Sequence, residues 1–131
     1  MLIYAVDVTN DLGSAIRHIF STAKAANAAA PVGVGSVFLM PEVLIKPMRS
    51  EQAEELERLA ELLARIDLRP FDVTTARLAT VLGSRYSLRA ADAVHLATAV
   101  NAGADRFITN NRKDFRKSIA EIEVTYPIDL A

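Results

Sequence analysis

The sequence predicts one α/β domain, a parallel central sheet with helices on both of its faces. Three observations lead there. Continuous apolar runs alternate along the chain with segments whose apolar residues recur at i, i+3, i+4 and i+7, and strands that alternate with helices pair in parallel. The length of 131 residues suits a single domain, and 51% hydrophobic residues are enough for a core. No linker, internal repeat or low-complexity insert divides residues 1–131.

Each element has its own signal. Residues 2–8 form an apolar run that reads as a buried strand. Asn10 or Asp11 then caps a helix with Leu12, Ala15, Ile16, Ile19, Phe20 and Ala23 on one face. Six of the eight residues 23–30 are Ala, which fits the end of that helix, and Pro31 stops it. Residues 32–36 give a second strand. Ser36 is placed to cap a helix that carries Glu42 and is interrupted by Pro41 and Pro47. Ser50 begins the most regular helix, with Leu56, Leu59, Ala60, Leu63 and Ile66 as its apolar stripe and Glu54–Arg58 and Glu61–Arg65 as i, i+4 pairs. Residues 68–73 read as a strand, and Pro70 assigns it to a sheet edge. Helices are expected over 74–84 and 88–102, the second ended by Gly103. A strand over 106–109, a short basic helix and a strand over 122–128 complete the chain.

Composition excludes several kinds of chemistry. With no Cys there are no disulfides, thiolate metal ligands or thiol nucleophiles. His18 and His95 are the only histidines, too few for a multi-histidine zinc site. No apolar run reaches the ~18–20 residues of a membrane span, and Asp7 ends the opening run too early for a signal peptide. The expected location is the cytoplasm. A net charge of −1 hides segregation: residues 51–66 carry −3, whereas residues 85–117 carry +4. A locally basic stretch of that kind can meet a polyanion, although the same residues also suit solvated helix faces.

Four acidic residues stand out by context. Asp7 ends the first strand; Glu42 follows the second among Met40, Pro41, Val43 and Leu44. Asp92 opens an almost wholly apolar helix, and Asp114 follows the strand at 106–109. In a parallel sheet these positions meet beyond the carboxyl ends of the strands, where ligands bind. Carboxylates gathered in one cleft stay ionised only if a cation neutralises them, and oxygen donors alone favour a hard ion such as Mg²⁺ or Mn²⁺. Plainer roles are open at each position. Asp7 can be a helix cap, and Asp92 can answer the helix dipole or pair with Arg89. His95, inside the apolar helix, reads as a packed core residue. Tyr4, Tyr86 and Tyr126 lie in separate elements and build no stacking platform.

From Tyr86 to Phe115 the chain reads YSLRAADAVHLATAVNAGADRFITNNRKDF. This stretch resembles the C-terminal half of PIN-domain nucleases, above all the VapC-type toxins of bacterial toxin–antitoxin pairs. Those carry an Asp-Ala-x-His-x-Ala-x-Ala helix, then Gly-Ala-Asp, then a strand ending Thr-Asn-Asp. Leu39-Met40-Pro41-Glu42-Val43-Leu44 resembles the segment that bears the family's second acid. Two departures accompany the likeness. Asn111 stands where the family's fourth acid usually follows Thr-Asn, with Asp114 three residues on. At the other end, residues 2–5 match the family in one of two registers. In one they are the first strand itself, making Asp7 the first acid. In the other they are the segment just after that strand, placing the strand and its acid upstream of Met1.

The resemblance implies a PIN-like domain acting as a metal-dependent endoribonuclease, the toxin of a toxin–antitoxin system, with RNA as substrate, an antitoxin protein as partner and a homodimeric assembly. It implies that Asp7, Glu42, Asp92 and Asp114 hold Mg²⁺ or Mn²⁺, that Asn111 orients a water or a ligand of the ion, and that Arg85, Arg89, Arg112 and Lys113 hold RNA phosphates. The competing readings are a catalytically inactive or truncated PIN-like protein that serves as a protein-binding partner, and a phosphoryl-accepting receiver domain. The last would need adjacent acids after the first strand, and Asp7 has no acidic neighbour.

Overall fold

The computed structural model describes residues 4–6, 33–109, 111–126 and 129. Five short strands, β1 (Tyr4–Val6), β2 (Gly33–Ser36), β3 (Ile66–Arg69), β4 (Arg106–Ile108) and β5 (Glu123–Thr125), form one sheet in the order β3-β2-β1-β4-β5, and every pairing is parallel. The first apolar run therefore supplies the central strand. The strand with Pro70 just beyond it lies at an edge, as its sequence predicts.

Four helices fill the described connections: α1 (Leu39–Arg49), α2 (Ala53–Leu63), α3 (Val73–Tyr86) and α4 (Ala90–Asn101). The step from β2 to β3 moves one way across the sheet and the step from β3 to β4 moves the other way. Right-handed crossovers then put α1 and α2 on one face and α3 and α4 on the opposite face. Side chains along β2 agree. Val34 belongs to the core cluster of α3 and α4, whereas at Gly35 the space a Cβ would take is bounded by Leu39 of α1. Helix α4 lies against β2, β1 and β4, with eight consecutive residues from Asp92 to Ala99 buried. Its Leu96 and Ala97 are wholly buried, as are Leu82, Phe107 and Phe115 in the same core.

Four sequence expectations change. Helix α1 runs unbroken through both prolines. Pro41 occupies its first turn, where backbone N–H groups have no intrahelical partner, so the missing donor costs nothing there. Pro47 removes one bond near the end and is buried, which offsets the loss by packing. Ser50 closes α1 instead of opening α2: its N–H donates to the Lys46 carbonyl, and Glu51 follows with a left-handed φ of 54°. Helix α2 thus starts at Ala53, and Ile66 belongs to β3. Strand β3 ends at Arg69, and Val73 already opens α3 behind an Asp72 cap. Beyond β4 the chain forms turns and not a short basic helix, because the Asn111 side chain offers the backbone a local alternative. The helix expected after Asn10 lies outside the described residues.

Candidate active site

Three elements end at the carboxyl edge of the sheet, and each brings one of the predicted acids. Ser36 closes β2, and its hydroxyl accepts the Phe38 N–H at 3.1 Å, which turns the chain into α1. Glu42 follows in the first turn of that helix, where a negative charge faces the unpaired N–H groups. Helix α4 runs back antiparallel to the strands, so its first turn, with Asp92, lies at the same edge.

Asp114 is held by a compact turn after β4. The Thr109 N–H bonds the Thr125 carbonyl at 3.1 Å, extending the β4–β5 pairing by one residue. The Thr109 hydroxyl then accepts the Asn111 N–H at 3.0 Å. The Asn111 side chain donates to the Asp114 carboxylate at 2.9 Å and accepts the Asp114 N–H at 3.2 Å. Phe115, the next residue, is buried with its ring 4.9 Å from that of Phe107, and its carbonyl accepts the Tyr126 hydroxyl at 2.8 Å. Asn111 therefore acts on Asp114 directly.

Asp92 is only 5% exposed. Burial pushes its carboxyl above the ordinary aspartate range; the charge of Asp114 pushes the same way and that of Glu42 adds to it, against His95 and Arg89. The three acids thus share one electrostatic environment. Glu42 carries a further contact, because its Oε1 meets the Nε2 of His95. Among the described residues, no three His, Cys, Asp or Glu side chains gather tightly enough to enclose a metal ion. Asp7 lies outside the described residues. The donor set nevertheless fits a hard divalent cation in its chemistry, since every candidate ligand is a carboxylate oxygen and the repulsion at Asp92 is what such a cation would relieve.

The sheet is parallel and ordered β3-β2-β1-β4-β5, with acids on the first turns of two helices and on the turn after β4. The profile of the PIN domain family matches residues 12–119. The chain belongs to the PIN domain family. No curated protein sequence matches significantly. Among solved structures, a chain of a toxin–antitoxin complex from Klebsiella pneumoniae is 24% identical, with a TM-score of 0.65 over 97% of this chain and 98% of that one. A chain of the DNA-bound VapBC of Salmonella typhimurium is 16% identical, with a TM-score of 0.73 over 97% of this chain and 99% of that one.

Around the acids of this PIN domain the predicted cations divide. Arg89 immediately precedes α4, near enough for Asp92 to feel its charge. Arg112 lies over the Tyr126 ring, 5.1 Å from its centroid. Arg85 pairs with Glu121, which also accepts the Tyr86 hydroxyl, the contact that does most to hold the Glu121 carboxyl below its usual range. Lys113 shares with Arg85, Tyr86, Ser87, Arg116 and Asp114 the lining of a cavity of about 420 Å³. Sequence reasoning does not single out Arg116 or Ser87, which lie in a loop and at a helix end with no periodic signal. It reads His95 as core, and the burial agrees at 2% exposure. The bond to Glu42 joins two residues 53 apart in sequence, and the signals that could have pointed to it are the i, i+3 spacing of His95 from Asp92 and the His in the Asp-Ala-x-His pattern.

Proposed function

We propose that this PIN domain is a metal-dependent endoribonuclease and the toxin of a toxin–antitoxin pair. The observation that carries the reading is Asp92, buried at the carboxyl edge of a parallel sheet and repelled there by Asp114 and Glu42. A fold gains nothing in stability from that arrangement, and a bound cation gives it a purpose. The Klebsiella structure is a toxin–antitoxin complex by name and the Salmonella one a DNA-bound VapBC, which supports an antitoxin partner for this chain. A homodimer in the cytoplasm completes the proposal. No helix among the described residues is long and apolar enough to cross a membrane.

In this reading Asp92, Asp114 and Glu42, with Asp7, hold Mg²⁺ or Mn²⁺. When bound, such an ion lowers the pKa of a water and stabilises charge on the leaving oxygen of a phosphodiester. The chain's own residues supply position. Asn111 fixes the Asp114 carboxylate, and burial on α4 restricts Asp92 to one orientation. Arg89 and Lys113 border the acids and hold the RNA backbone by charge, which gives affinity without sequence reading. The cavity beside Asp114 gives the strand a concave, basic path away from the acids.

The test is cleavage of a mixed RNA substrate with Mg²⁺ or Mn²⁺, by the wild-type chain and by Asp92→Asn. Metal-dependent cleavage lost in the variant supports the reading; equal activity in both places the chemistry elsewhere. One observation favours the inactive protein-binding alternative: Asn111 stands where the resemblance expects an acid, and its amide is spent on Asp114. No cleavage by the wild-type chain with either ion would favour that alternative.

A further inference from the structure

We infer that His95 is a positioning residue, whose imidazole fixes one oxygen of Glu42 and leaves the other aimed at a divalent cation. This role rests on the metal-dependent reading and goes beyond it by giving a function to a side chain outside the acidic set.

Three features of the histidine carry the inference. Its side chain is 1% exposed, in the middle of the eight-residue buried run of α4, where an aliphatic residue would pack without any polar cost. Its Nε2 meets Glu42 Oε1, whereas its Nδ1 is buried and has no hydrogen-bond partner among the described residues. With the proton on Nε2, the ring donates to the carboxylate, and only an acceptor lone pair is left unsatisfied. The opposite tautomer would bury an unpaired N–H and set a lone pair against a carboxylate. The ring is also fixed in place, since Phe38 stands tilted against it at 6.0 Å between centroids.

Glu42 needs such a partner. It projects from the first turn of α1 on a long side chain that is 27% exposed, and a side chain of that length has several staggered rotamers open to it unless a partner selects one. Asp92 has a short side chain and burial to orient it, and Asp114 has Asn111. For Glu42, the described residues provide only the His95 bond, and that bond engages Oε1 alone. Carboxylates that ligate a metal are themselves held by hydrogen bonds from outer partners, and a buried ring N–H can be such a partner. His95 and Asp92, three residues apart on α4, bring the positioning group and a ligand to the same edge on one rigid element.

The test is Mn²⁺ binding by the full chain, measured by isothermal titration calorimetry without RNA. His95→Leu should weaken binding by about 10–100-fold, and His95→Gln, whose amide can donate from near the Nε2 position, should recover most of it. In a Glu42→Gln background, His95→Leu should cause little further loss. Nitrogen-detected NMR of the wild-type ring should show the proton on Nε2, a measurement independent of whether any variant folds. If the wild-type chain binds Mn²⁺ and Asp92→Asn abolishes it, but His95→Leu binds as wild type does or the ring proton sits on Nδ1, the positioning role is overturned and the metal reading survives. If the wild-type chain binds no Mn²⁺, both are overturned.

Discussion

Asp92 and Asp114 reach the same edge from opposite sides, one on the first turn of α4 and one on the turn after β4, and the charge of Asp114 adds to burial in disfavouring ionisation of Asp92. Because the Asp92 carboxyl is raised in the folded state, the folded chain binds more protons than the unfolded chain between the two values. Stability of the metal-free protein should therefore fall as pH rises from the ordinary aspartate value of ~3.9 through the higher folded one. Asp92→Asn removes that slope, so it should melt at a higher temperature than wild type at pH 7 without metal, while losing RNA cleavage with Mg²⁺. A lower melting temperature in the variant would mean that the carboxylate serves the fold.

Asn111 holds the Asp114 carboxylate and accepts its backbone N–H. Asn111→Ala leaves the Phe115 anchor in place, so the fold should survive. Cleavage should fall about 10–100-fold, the usual effect of losing a group that orients a metal ligand. Circular dichroism and cleavage rates measured side by side decide it: full activity would show that the turn holds Asp114 without the amide.

Helix α3 gives a pH test far from the acids. The Asp72 carboxylate accepts the Thr75 N–H at 2.9 Å and the Thr75 hydroxyl at 2.8 Å, and these bonds, the backbone one first, hold its carboxyl below the ordinary range. A depressed acid stabilises the fold above its unfolded value, and that contribution disappears as pH falls through the folded one. Asp72→Ala should lower the melting temperature at pH 7 and differ less from wild type as the pH is taken down to about 3. A difference independent of pH would assign the effect to packing and not to the cap's charge.

The cations should separate in their salt dependence. Lys113 and Arg89 make no ion pair among the described residues, whereas Arg85 is paired with Glu121 and Arg112 lies over Tyr126. Lys113→Ala should flatten the slope of log affinity against log salt for single-stranded RNA by about 0.7, the loss of one phosphate contact. Arg112→Ala should change the slope less. Equal slopes in wild type and Lys113→Ala would make the cavity mouth a solvated surface.

How much of the fold and site is legible in the sequence depends on which interactions are local. The apolar runs at β1, β2 and β4 and the stripe along α4 predict buried elements because periodicity reports burial directly. The ends of elements are harder to read. Ser50 has the chemistry of an N-cap, yet it closes α1, since the left-handed Glu51 lets the chain turn first. Pro41 and Pro47 signal breaks, and tertiary packing around Pro47 overrides the second. At the site, Glu42, Asp92 and Asp114 are readable as acids in unusual contexts. Asn111 is legible as a supporting polar residue through the resemblance, but its bonds to Asp114 form in a turn where the sequence suggests a basic helix, and His95, read as core, reaches Glu42 across the fold.

Gly35 links the sheet to the position of Glu42. A Cβ there would stand 2.8 Å from Leu39 Cδ1 and 3.4 Å from Ile66 Cγ2, so glycine allows Leu39, the first and wholly buried residue of α1, to settle directly on β2. Leu39 Cδ1 is the end of a flexible side chain, but burial leaves it little room to rotate away. Gly35→Ala should therefore push the start of α1 outward, three residues before Glu42, and destabilise the protein by about 1–3 kcal/mol, the usual range for overpacking. Adding Leu39→Ala makes space for the new methyl group, so the double variant should lose less stability than the two single losses added together. Chemical denaturation of the four proteins measures that coupling. Strict additivity, or a Gly35→Ala protein as stable as wild type, would show that α1 does not depend on this close approach for its placement.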